Sequence, residues 1–497
     1  MKGIGELGVC GLTALVALTL SAARYDGVAV WRGETFTKLL PDSVEVGPMP
    51  DGISLKVGIA EPVRYLDRPG GTHYQYAADR VVWGSESVGL RVLSVTAAPD
   101  MKPGLYRCGA VDVTVLDRTL PPAKDWKYAL DLWQHPWAVA RWHGVKPFSR
   151  DHYAAMRPLW EMLADAGQKV LTVTILDMPW NHQCYDAYST MVRHIRRKDG
   201  TWAFDYSVFD EYVAFGRSCG IGPDIACYSM CPWDYEVSWE TEDGRTERAK
   251  YLPGTPEFED YWGAFLADFR AHVEAKGWLG DVYIAMDERR PEDVMNIARL
   301  VKAKGDGLKI SLAGNRAPSE YAGIELHNCC FGIGHLTDAL LAEAAPRREK
   351  GMRTTYYVCC GPACPNTFCM SETEEAFWLG AYPAMCGLDG FLRWAWNSWP
   401  RNPLVDASYM RNLGSWKAGD TFLVYPDGSP SLRFLELRNG IVAAEKIRIL
   451  RETGALDAAA FKKVAALYDR KRAVANEVNF LSIRRETQKL VNAGMWN

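Results

Sequence analysis

The sequence predicts a mixed α/β protein in which a (β/α)8 barrel follows an N-terminal β-sandwich and precedes a small C-terminal domain. Short alternating apolar runs fill residues 24–117. From about residue 128, apolar strands alternate with amphipathic segments of helical length. A doubly wound parallel sheet is the alternative for this central part, because it has the same alternation.

The first segment, residues 1–23, has the features of a secretory signal peptide. Lys2 precedes an apolar stretch from Leu7 to Leu20, and small residues follow up to Ala23. The stretch is too short and too interrupted to predict a membrane span. We therefore expect a secreted or periplasmic protein with no membrane span in the mature chain, and a first strand of the folded protein is the alternative.

The second segment, residues 24–120, is predicted to be the β-sandwich. Its apolar runs are VAVWRG, SLKVGIA, VGLRVLSVTA and LYRCGAVDVTVL, and Gly, Pro and Asp separate them. Strands of this length with turn residues between them are typical of a sandwich. The stretch LPPAKDW at 120–126 is predicted to be the linker to the barrel.

The third segment, residues 121–412, is predicted to be the barrel. Helices are expected around 151–166, 207–219, 256–276 and 291–304. In the third of these, apolar residues recur at spacings of three and four, which is one face of a helix. The predicted strands are YALDLWQHP, KVLTVTILDMPW, IACYSMCPW, DVYIAMDE, LKISLAGN, IELHNCC, TTYYVCCGP and GFLRWAWNSWP.

The last segment, residues 413–497, is predicted to be a small domain with a β-hairpin and helices. GDTFLVYPDGSPSLRF at 419–434 predicts a hairpin with its turn at Asp427–Gly428. Helical sequence follows from Leu435, with a break near Gly454.

Composition points to a glycan partner. A net charge of -4 gives no basic field for nucleic acid. The 13 cysteines lack the spacing of a structural zinc site. No cofactor is predicted. Aromatic residues make up 12% of the chain, and many of the tryptophans stand beside polar residues, a placement that favours sites where sugars stack.

The strongest catalytic candidates are Asp287 and Glu288, which end the apolar strand in YIAMDERRPED. Barrel enzymes place their chemistry at the carboxyl ends of the strands. Neighbouring strand residues point to opposite faces, so both acids reach one cavity only if the strand breaks there. Adjacent acids fit poorly as acid and nucleophile on either side of a glycosidic bond, but they fit substrate-assisted hydrolysis by a 2-acetamido group. A solvated pair that begins the next helix is the structural alternative.

AMDER at 285–289 resembles the Asp-Glu motif of glycoside hydrolase family 123, the β-N-acetylgalactosaminidases and their bacterial relatives with a DUF4091 module. The resemblance covers about 28–452 and implies a sandwich, a catalytic barrel, a small C-terminal domain, retention of configuration and no metal. By position it implies that Asp287 orients and polarises the acetamido group and that Glu288 is the general acid/base. Other matching stretches include VAVWRGE, MKPGLYRCG, LDLWQHP, MPWNHQCYD, KDGTWAFDYSVFDEYV, TTYYVCCGPACPNTF, GFLRWAWNSWP and RNGIVAAEKIRILR.

Further substrate-binding residues are expected at the other strand ends. Strand alternation turns Tyr357 toward the barrel interior, where it is expected to donate to the acetamido carbonyl. Asp177 is alternatively the second carboxylate of a conventional retaining site, and at least one of the tryptophans is expected in the core. The remaining candidates are aromatic (Trp180, Tyr228, Trp233, Trp394, Trp396) or able to contact hydroxyls (Asp177, Gln183, Asn366, Arg393).

The sequence together with this resemblance predicts a retaining exo-glycosidase that removes terminal β-linked N-acetylgalactosamine through an oxazoline intermediate. A β-N-acetylglucosaminidase, or another retaining glycosidase on the same barrel, is the alternative enzyme. A barrel that binds carbohydrate without catalysis is the alternative from another class.

Overall fold

The computed structural model describes residues 27–321, 323–411 and 414–493. The predicted signal peptide at 1–23 lies outside these residues. No helix within the described ranges is both long and apolar enough to cross a membrane.

The N-terminal segment forms two antiparallel-rich sheets that pack face to face. One sheet has the order β1-β7-β6 and the other the order β2-β5-β3-β4. Burial alternates along β7, where Val111, Val113 and Val115 face a core that includes Phe36 and Val95 of the other sheet. The predicted β-sandwich is confirmed. The strands are β1 Val28–Arg32, β2 Thr35–Leu39, β3 Ile53–Leu66, β4 Tyr74–Trp83, β5 Leu90–Ala97, β6 Gly104–Cys108 and β7 Val111–Thr119.

The central segment forms an eight-stranded parallel sheet that curls into a nearly closed barrel. Its order, β8-β19-β18-β17-β16-β15-β12-β9, places strands that follow each other in the barrel side by side. In a doubly wound sheet the order of the strands reverses at a point in the middle of the sheet, and this sheet shows no such reversal. The barrel prediction is therefore confirmed. The eight barrel strands are β8 Ala129–Leu132, β9 Val170–Thr174, β12 Asp224–Tyr228, β15 Val282–Asp287, β16 Lys309–Gly314, β17 Asn328–Gly332, β18 Arg353–Tyr357 and β19 Gly390–Arg393. The strands outside the barrel are β10 Arg193–Arg196, β11 Trp202–Asp205, β13 Glu236–Thr241, β14 Thr246–Lys250, β20 Tyr409–Arg411 and β21 Gly414–Trp416.

The seam between β8 and β9 is closed by two glutamine side chains. The Leu132 N–H donates to Oε1 of Gln168 at 3.0 Å, and the Thr172 N–H donates to Oε1 of Gln134 at 2.9 Å. Nε2 of Gln168 donates to the Val170 carbonyl at 2.6 Å. Side-chain amides thus satisfy backbone groups that the regular ladder leaves unpaired at this seam.

The helices surround the barrel, and the four predicted ones are confirmed to within two residues. Between β16 and β17 the described residues contain a 3-10 turn, Pro318–Glu320, where other units have an α-helix. The helices are α1 Pro136–His143, α2 Arg150–Ala164, α3 Ser207–Ser218, α4 Pro256–Ala275, α5 Pro291–Lys304, α6 Asp338–Glu349, α7 Thr373–Cys386, α8 Leu432–Glu452, α9 Ala458–Ala465, α10 Arg470–Val474 and α11 Phe480–Val491.

An additional four-stranded sheet, β11-β10-β13-β14, was not predicted from the sequence. It is built from the segments that leave β9 and β12 at their carboxyl ends. Ser238 of β13 donates to Asp177 at 2.9 Å, which ties this sheet to the carboxyl end of β9. Its strands are short and mostly half-exposed, so they lack the apolar runs that marked the barrel strands.

The C-terminal segment contains the predicted turn. The Gly428 N–H donates to the Tyr425 carbonyl at 3.0 Å, and the Tyr425 N–H donates to the Ser429 carbonyl at 2.9 Å. One bridge, between Val424 and Pro430, flanks the turn, so the hairpin is short. Gly428 has φ +85, which a glycine adopts without steric cost.

Helix α8 contacts both the barrel and the sandwich. Oε1 of Glu445 accepts from the N–H of Tyr128 at 2.7 Å, just before β8. Asn439 exchanges two hydrogen bonds with the Thr37 backbone in β2. Lys446 forms a fully buried ion pair with Glu34 at 2.5 Å. One helix therefore joins the sandwich to the barrel through polar contacts that are buried.

Helices α7 and α8 cross at two glycines. A Cβ added to Gly440 would lie 2.2 Å from the Phe377 carbonyl oxygen and 3.0 Å from the Gly380 Cα. Both neighbours are backbone atoms, so a side chain at this crossing requires the helices to separate.

We expect Gly440→Ala to destabilise the protein by about 1–3 kcal/mol or more, because the added methyl group overpacks the helix crossing. The free energy of unfolding in urea measures this effect. Gly280→Ala is the matched control, since no atom lies within 4 Å of a Cβ added there. Equal stabilities of the two variants would contradict the prediction.

Candidate active site

Strand β15 ends at Asp287, and the chain turns at the next residue. Glu288 has φ +49, a left-handed conformation that costs a non-glycine residue roughly 1–2 kcal/mol. Its N–H donates to the Ala313 carbonyl of β16 at 2.8 Å. Nε of Arg289 donates to the Asp287 carbonyl at 3.0 Å, and α5 starts at Pro291. The strand break that the adjacent acids require is confirmed.

Asp287 is half-buried and lies among aromatic side chains. Burial and the neighbouring Glu288 raise the pKa of Asp287 to about 7. Arg289 and the indole N–H groups of Trp180 and Trp233 act in the opposite direction and lower it. The carboxyl group thus titrates near neutral pH in a site that offers donors to its charged form.

Glu288 is exposed and accepts a hydrogen bond from Tyr357, whose hydroxyl lies 2.6 Å from Oε1. The same hydroxyl lies 3.4 Å from Oδ1 of Asn315 at the end of β16. Burial and the Glu288 charge hold the pKa of Tyr357 well above its usual value. The phenol is therefore a proton donor at all ordinary pH values.

An aromatic cluster lies beside Asp287 in the barrel mouth. The ring centroids of Trp133 lie 5.0 Å from Trp180 and 4.6 Å from Tyr228. Trp180 and Tyr228 are themselves 5.1 Å apart. Trp233 is half-buried, and the Arg289 guanidinium lies 5.8 Å from its ring. The structure thus brings together Asp287, Glu288, Tyr357, Trp180, Tyr228 and Trp233.

Three residues at this site were assigned no role from the sequence. Trp133 follows β8 directly, so its position at a strand end was a usable signal. Asn315 also follows a barrel strand. Arg289 contacts Asp287 because of the turn at Glu288, which the sequence does not show.

Asn366 and Arg393 are completely buried and brace loops at the barrel mouth. Nδ2 of Asn366 donates to the Cys359 and Pro362 carbonyls at 3.0 and 2.7 Å. The guanidinium of Arg393 pairs with Asp420 at 2.9 Å and donates to the Val358 carbonyl. Neither side chain presents surface to a ligand in this structure.

The remaining candidates lie in loops or in the core. Trp396 is completely buried, and its ring lies 4.7 Å from Phe434 of α8. Trp394 is 9% exposed and packs edge-on against Trp416 at 5.3 Å. Gln183 is buried, and its backbone carbonyl accepts a hydrogen bond from the Trp416 indole N–H at 3.3 Å.

Both carboxylate oxygens of Asp177 are engaged within the protein. Oδ1 accepts from the Thr190 N–H at 2.8 Å, and Oδ2 accepts from the Ser238 hydroxyl at 2.9 Å. Asp177 therefore holds the segment that follows β9 against the additional sheet.

The site can support acid–base chemistry on a bound ligand. It combines an exposed carboxylate, a half-buried carboxylate with a raised pKa, and a phenol that stays protonated. Within the described ranges, no group of three or more His, Cys, Asp or Glu side chains is placed to hold a metal ion.

The chain is similar in fold to a known glycoside hydrolase. It matches a family 123 glycoside hydrolase from Clostridium perfringens, described for glycolipid glycan hydrolysis, with TM-score 0.80, 22% identity and coverage of 94% of this chain and 93% of that one. A GH39 enzyme from Xanthomonas axonopodis pv. citri matches with TM-score 0.38 and 9% identity over 65% of this chain and 66% of that one.

No curated protein sequence is significantly similar to the chain. The family model described as glycoside hydrolase 123, catalytic domain, matches residues 133–450, which include all the barrel strands but the first and extend through most of α8. This match covers more than half of the chain. The protein therefore belongs to glycoside hydrolase family 123.

Proposed function

We propose that the protein is a retaining exo-glycosidase that hydrolyses terminal β-linked N-acetylgalactosamine through an oxazoline intermediate. The observation that carries the proposal is the pair Asp287 and Glu288, adjacent in sequence but placed in unlike surroundings by the left-handed turn at Glu288. The description of the Clostridium perfringens enzyme supports a glycoconjugate as the substrate.

Asp287 is assigned to the acetamido group of the substrate. In substrate-assisted hydrolysis the acetamido oxygen attacks the anomeric carbon, and positive charge develops on the oxazoline ring. An ionised Asp287 accepts from the acetamido N–H and stabilises that charge in a site that is partly shielded from water. Trp233, which is half-buried and lies beside Asp287, is suited to enclose the acetyl methyl group, whereas Trp180 is buried and lines the inner side of Asp287.

Glu288 is assigned the proton transfers. In the first step the bond between the anomeric carbon and the leaving oxygen breaks, and Glu288 donates its proton to that oxygen. In the second step Glu288 takes a proton from water, and the water oxygen attacks the anomeric carbon and opens the oxazoline. The two inversions retain the configuration. The exposed position of Glu288 suits both exchanges.

A conventional retaining mechanism requires a second carboxyl group about 5 Å from the acid, usually on another strand. The candidate for that role was Asp177, whose two oxygens are engaged by Thr190 and Ser238. This observation favours the substrate-assisted assignment over the conventional one.

The mechanism is tested with substrates that differ only at carbon 2. We expect release of 4-nitrophenol from its β-N-acetylgalactosaminide and no turnover of the plain β-galactoside, because only the first carries the attacking oxygen. An N-acetylgalactosamine thiazoline, which resembles the oxazoline, is expected to inhibit competitively.

The glucosaminide is the matched control for the sugar assignment, since it differs only at carbon 4. Faster hydrolysis of the glucosaminide would replace the galactosamine assignment. Efficient hydrolysis of the plain galactoside would rule out substrate assistance. A protein that binds these sugars and hydrolyses none of them would be a carbohydrate-binding barrel.

Tyr357→Phe removes the hydrogen bond to Glu288 without changing the shape of the ring. A hydrogen bond to a charged group contributes about 1.5–3 kcal/mol, so we expect kcat/KM to fall by roughly 10–100-fold. Steady-state kinetics on the N-acetylgalactosaminide measure the loss. Tyr356→Phe is the control, because that hydroxyl donates to the Leu379 carbonyl in the helix layer. Full activity in Tyr357→Phe would contradict the assignment.

A further inference from the structure

We propose that Cys359 and Cys360 form a reversible disulfide site at the rim of the active site, which is oxidised by small disulfides such as glutathione disulfide. The two residues follow β18 after Val358, and their Sγ atoms lie 3.8 Å apart. The inference concerns thiol chemistry, so it does not rest on the proposed glycosidase reaction.

Exposure singles out this pair among the described cysteines. Cys360 is exposed and Cys359 is half-buried, whereas nine of the other described cysteines are buried. The remaining one, Cys386, is half-buried at the end of α7. A reagent in solution therefore meets the Cys360 thiol first.

The backbone holds the pair beside the catalytic candidates. Tyr357, two residues before Cys359, donates to Glu288. The Cys359 carbonyl accepts from Nδ2 of the buried Asn366 at 3.0 Å, and the Cys359 N–H donates to the Gly361 carbonyl at 3.3 Å. The backbone that carries Cys359 is thus held in place two residues from Tyr357, the hydrogen-bond partner of Glu288.

The two thiols differ in their acidity. The hydrogen bond from Cys359 lowers the pKa of Cys360 to about 7, although burial and the Asp420 and Glu288 carboxylates oppose this effect. The pKa of Cys359 is raised by its bond to Cys360 and by burial. Because Cys360 is also the exposed thiol of the pair, it is assigned as the attacking thiolate and Cys359 as the resolving thiol.

The reaction consists of two exchanges. The Cys360 thiolate attacks one sulfur of glutathione disulfide, which forms a mixed disulfide and releases one glutathione thiolate. Cys359 then loses its proton and attacks Sγ of Cys360, which releases the second glutathione. Overall, two protein thiols are oxidised and one glutathione disulfide is reduced to two thiols.

Adjacent cysteines favour a reversible bond. Consecutive Cα atoms lie about 3.8 Å apart across a trans peptide, whereas the Cα atoms of ordinary disulfides are usually 4.4–6.8 Å apart. A disulfide between neighbours is therefore strained, and strained, exposed disulfides are the readily reduced ones.

The test treats the full-length protein with glutathione disulfide, alkylates the remaining thiols and locates the protected cysteines by peptide mass spectrometry. We expect the wild type to lose two hydrogens, with Cys359 and Cys360 protected and both recovered by dithiothreitol. Cys359→Ser is expected to keep glutathione on Cys360, since no resolving thiol is present. Cys360→Ser is expected to react at least tenfold more slowly.

Cys386→Ser is the control for a half-buried thiol away from the rim, and it is expected to oxidise like the wild type. The proposal is overturned if the wild type retains glutathione on Cys360, if Cys360 pairs with another cysteine, or if neither thiol reacts. Folding of each variant is checked by its thermal unfolding midpoint. None of these readouts requires glycosidase activity.

Discussion

Glu288→Gln is expected to lower kcat by about 10²–10⁴-fold on a substrate whose leaving group is a sugar alcohol. The amide keeps the size of the side chain and still accepts from Tyr357, but it cannot donate a proton to the leaving oxygen. It also cannot take a proton from the water that opens the oxazoline. Steady-state kinetics on an N-acetylgalactosamine disaccharide measure the loss.

The leaving group separates these two roles of Glu288. Nitrophenolate departs readily without protonation, so we expect a smaller loss on the 4-nitrophenyl substrate, limited by the second step. Glu292→Gln is the matched control, because Glu292 is exposed in the first turn of α5 and the variant makes the same change. Equal losses in the two variants, or none in Glu288→Gln, would remove Glu288 from the mechanism.

Asp287→Asn is expected to lower kcat by about 10²–10³-fold, the size of effect found when one preorganised stabilising group is removed. An amide can still contact the acetamido group, but it brings no negative charge to the developing oxazolinium. The loss should therefore appear mainly in kcat, with a smaller change in KM. A variant that loses binding while kcat is unchanged would assign Asp287 to ground-state binding alone.

The pKa of Asp287 also predicts the pH dependence. The pKa of Asp287 is raised to about 7, and the carboxyl group must be ionised to act. We therefore expect kcat/KM of the wild type to fall as pH decreases below about 7. The residual activity of Asp287→Asn should lack this acid limb, whereas Glu292→Gln should keep it. An acid limb that persists unchanged in Asp287→Asn would assign it to another group.

The thermal stability of Asp287→Asn serves as a control, because it is expected to stay the same or rise while the activity falls. A carboxyl group whose folded pKa is raised contributes stability that is present at low pH and is lost as pH rises through about 7. Above pH 7 the folded wild type holds an ionised, partly buried Asp287. We therefore expect Asp287→Asn to unfold at the same or a higher temperature than the wild type at pH 8.5, so lost activity would not reflect unfolding.

The features predicted best are those that depend on residues close together in the sequence. The barrel strands and four helices follow from apolar periodicity over a few residues. A strand break at the acidic pair was predicted on the condition that both acids serve one cavity, because neighbouring residues of a regular strand face opposite sides; the left-handed backbone at Glu288 was not predicted. Tyr357 was placed toward the interior by the same argument, and it lies there, although its hydroxyl donates to Glu288.

The features missed depend on partners that are distant in sequence or on the unusual backbone at Glu288. Trp396 packs on Phe434, and Arg393 pairs with Asp420, so their burial is decided by a segment that returns to the barrel later. Asp177 is occupied by Ser238, which belongs to a sheet with no strong apolar pattern. A strand-end position alone does not distinguish a ligand contact from a loop brace.

The contacts of α8 also bear on how this protein can be divided or recombined. A chain cut before Leu432 would remove Lys446, the ion-pair partner of Glu34, together with the whole of the helix that carries it. The same cut would leave the Tyr128 N–H, just before β8, without its acceptor Glu445. The sandwich and the barrel therefore cannot be exchanged individually for those of another protein. A chimaera that takes either domain from another protein also needs an α8 that fits both domains.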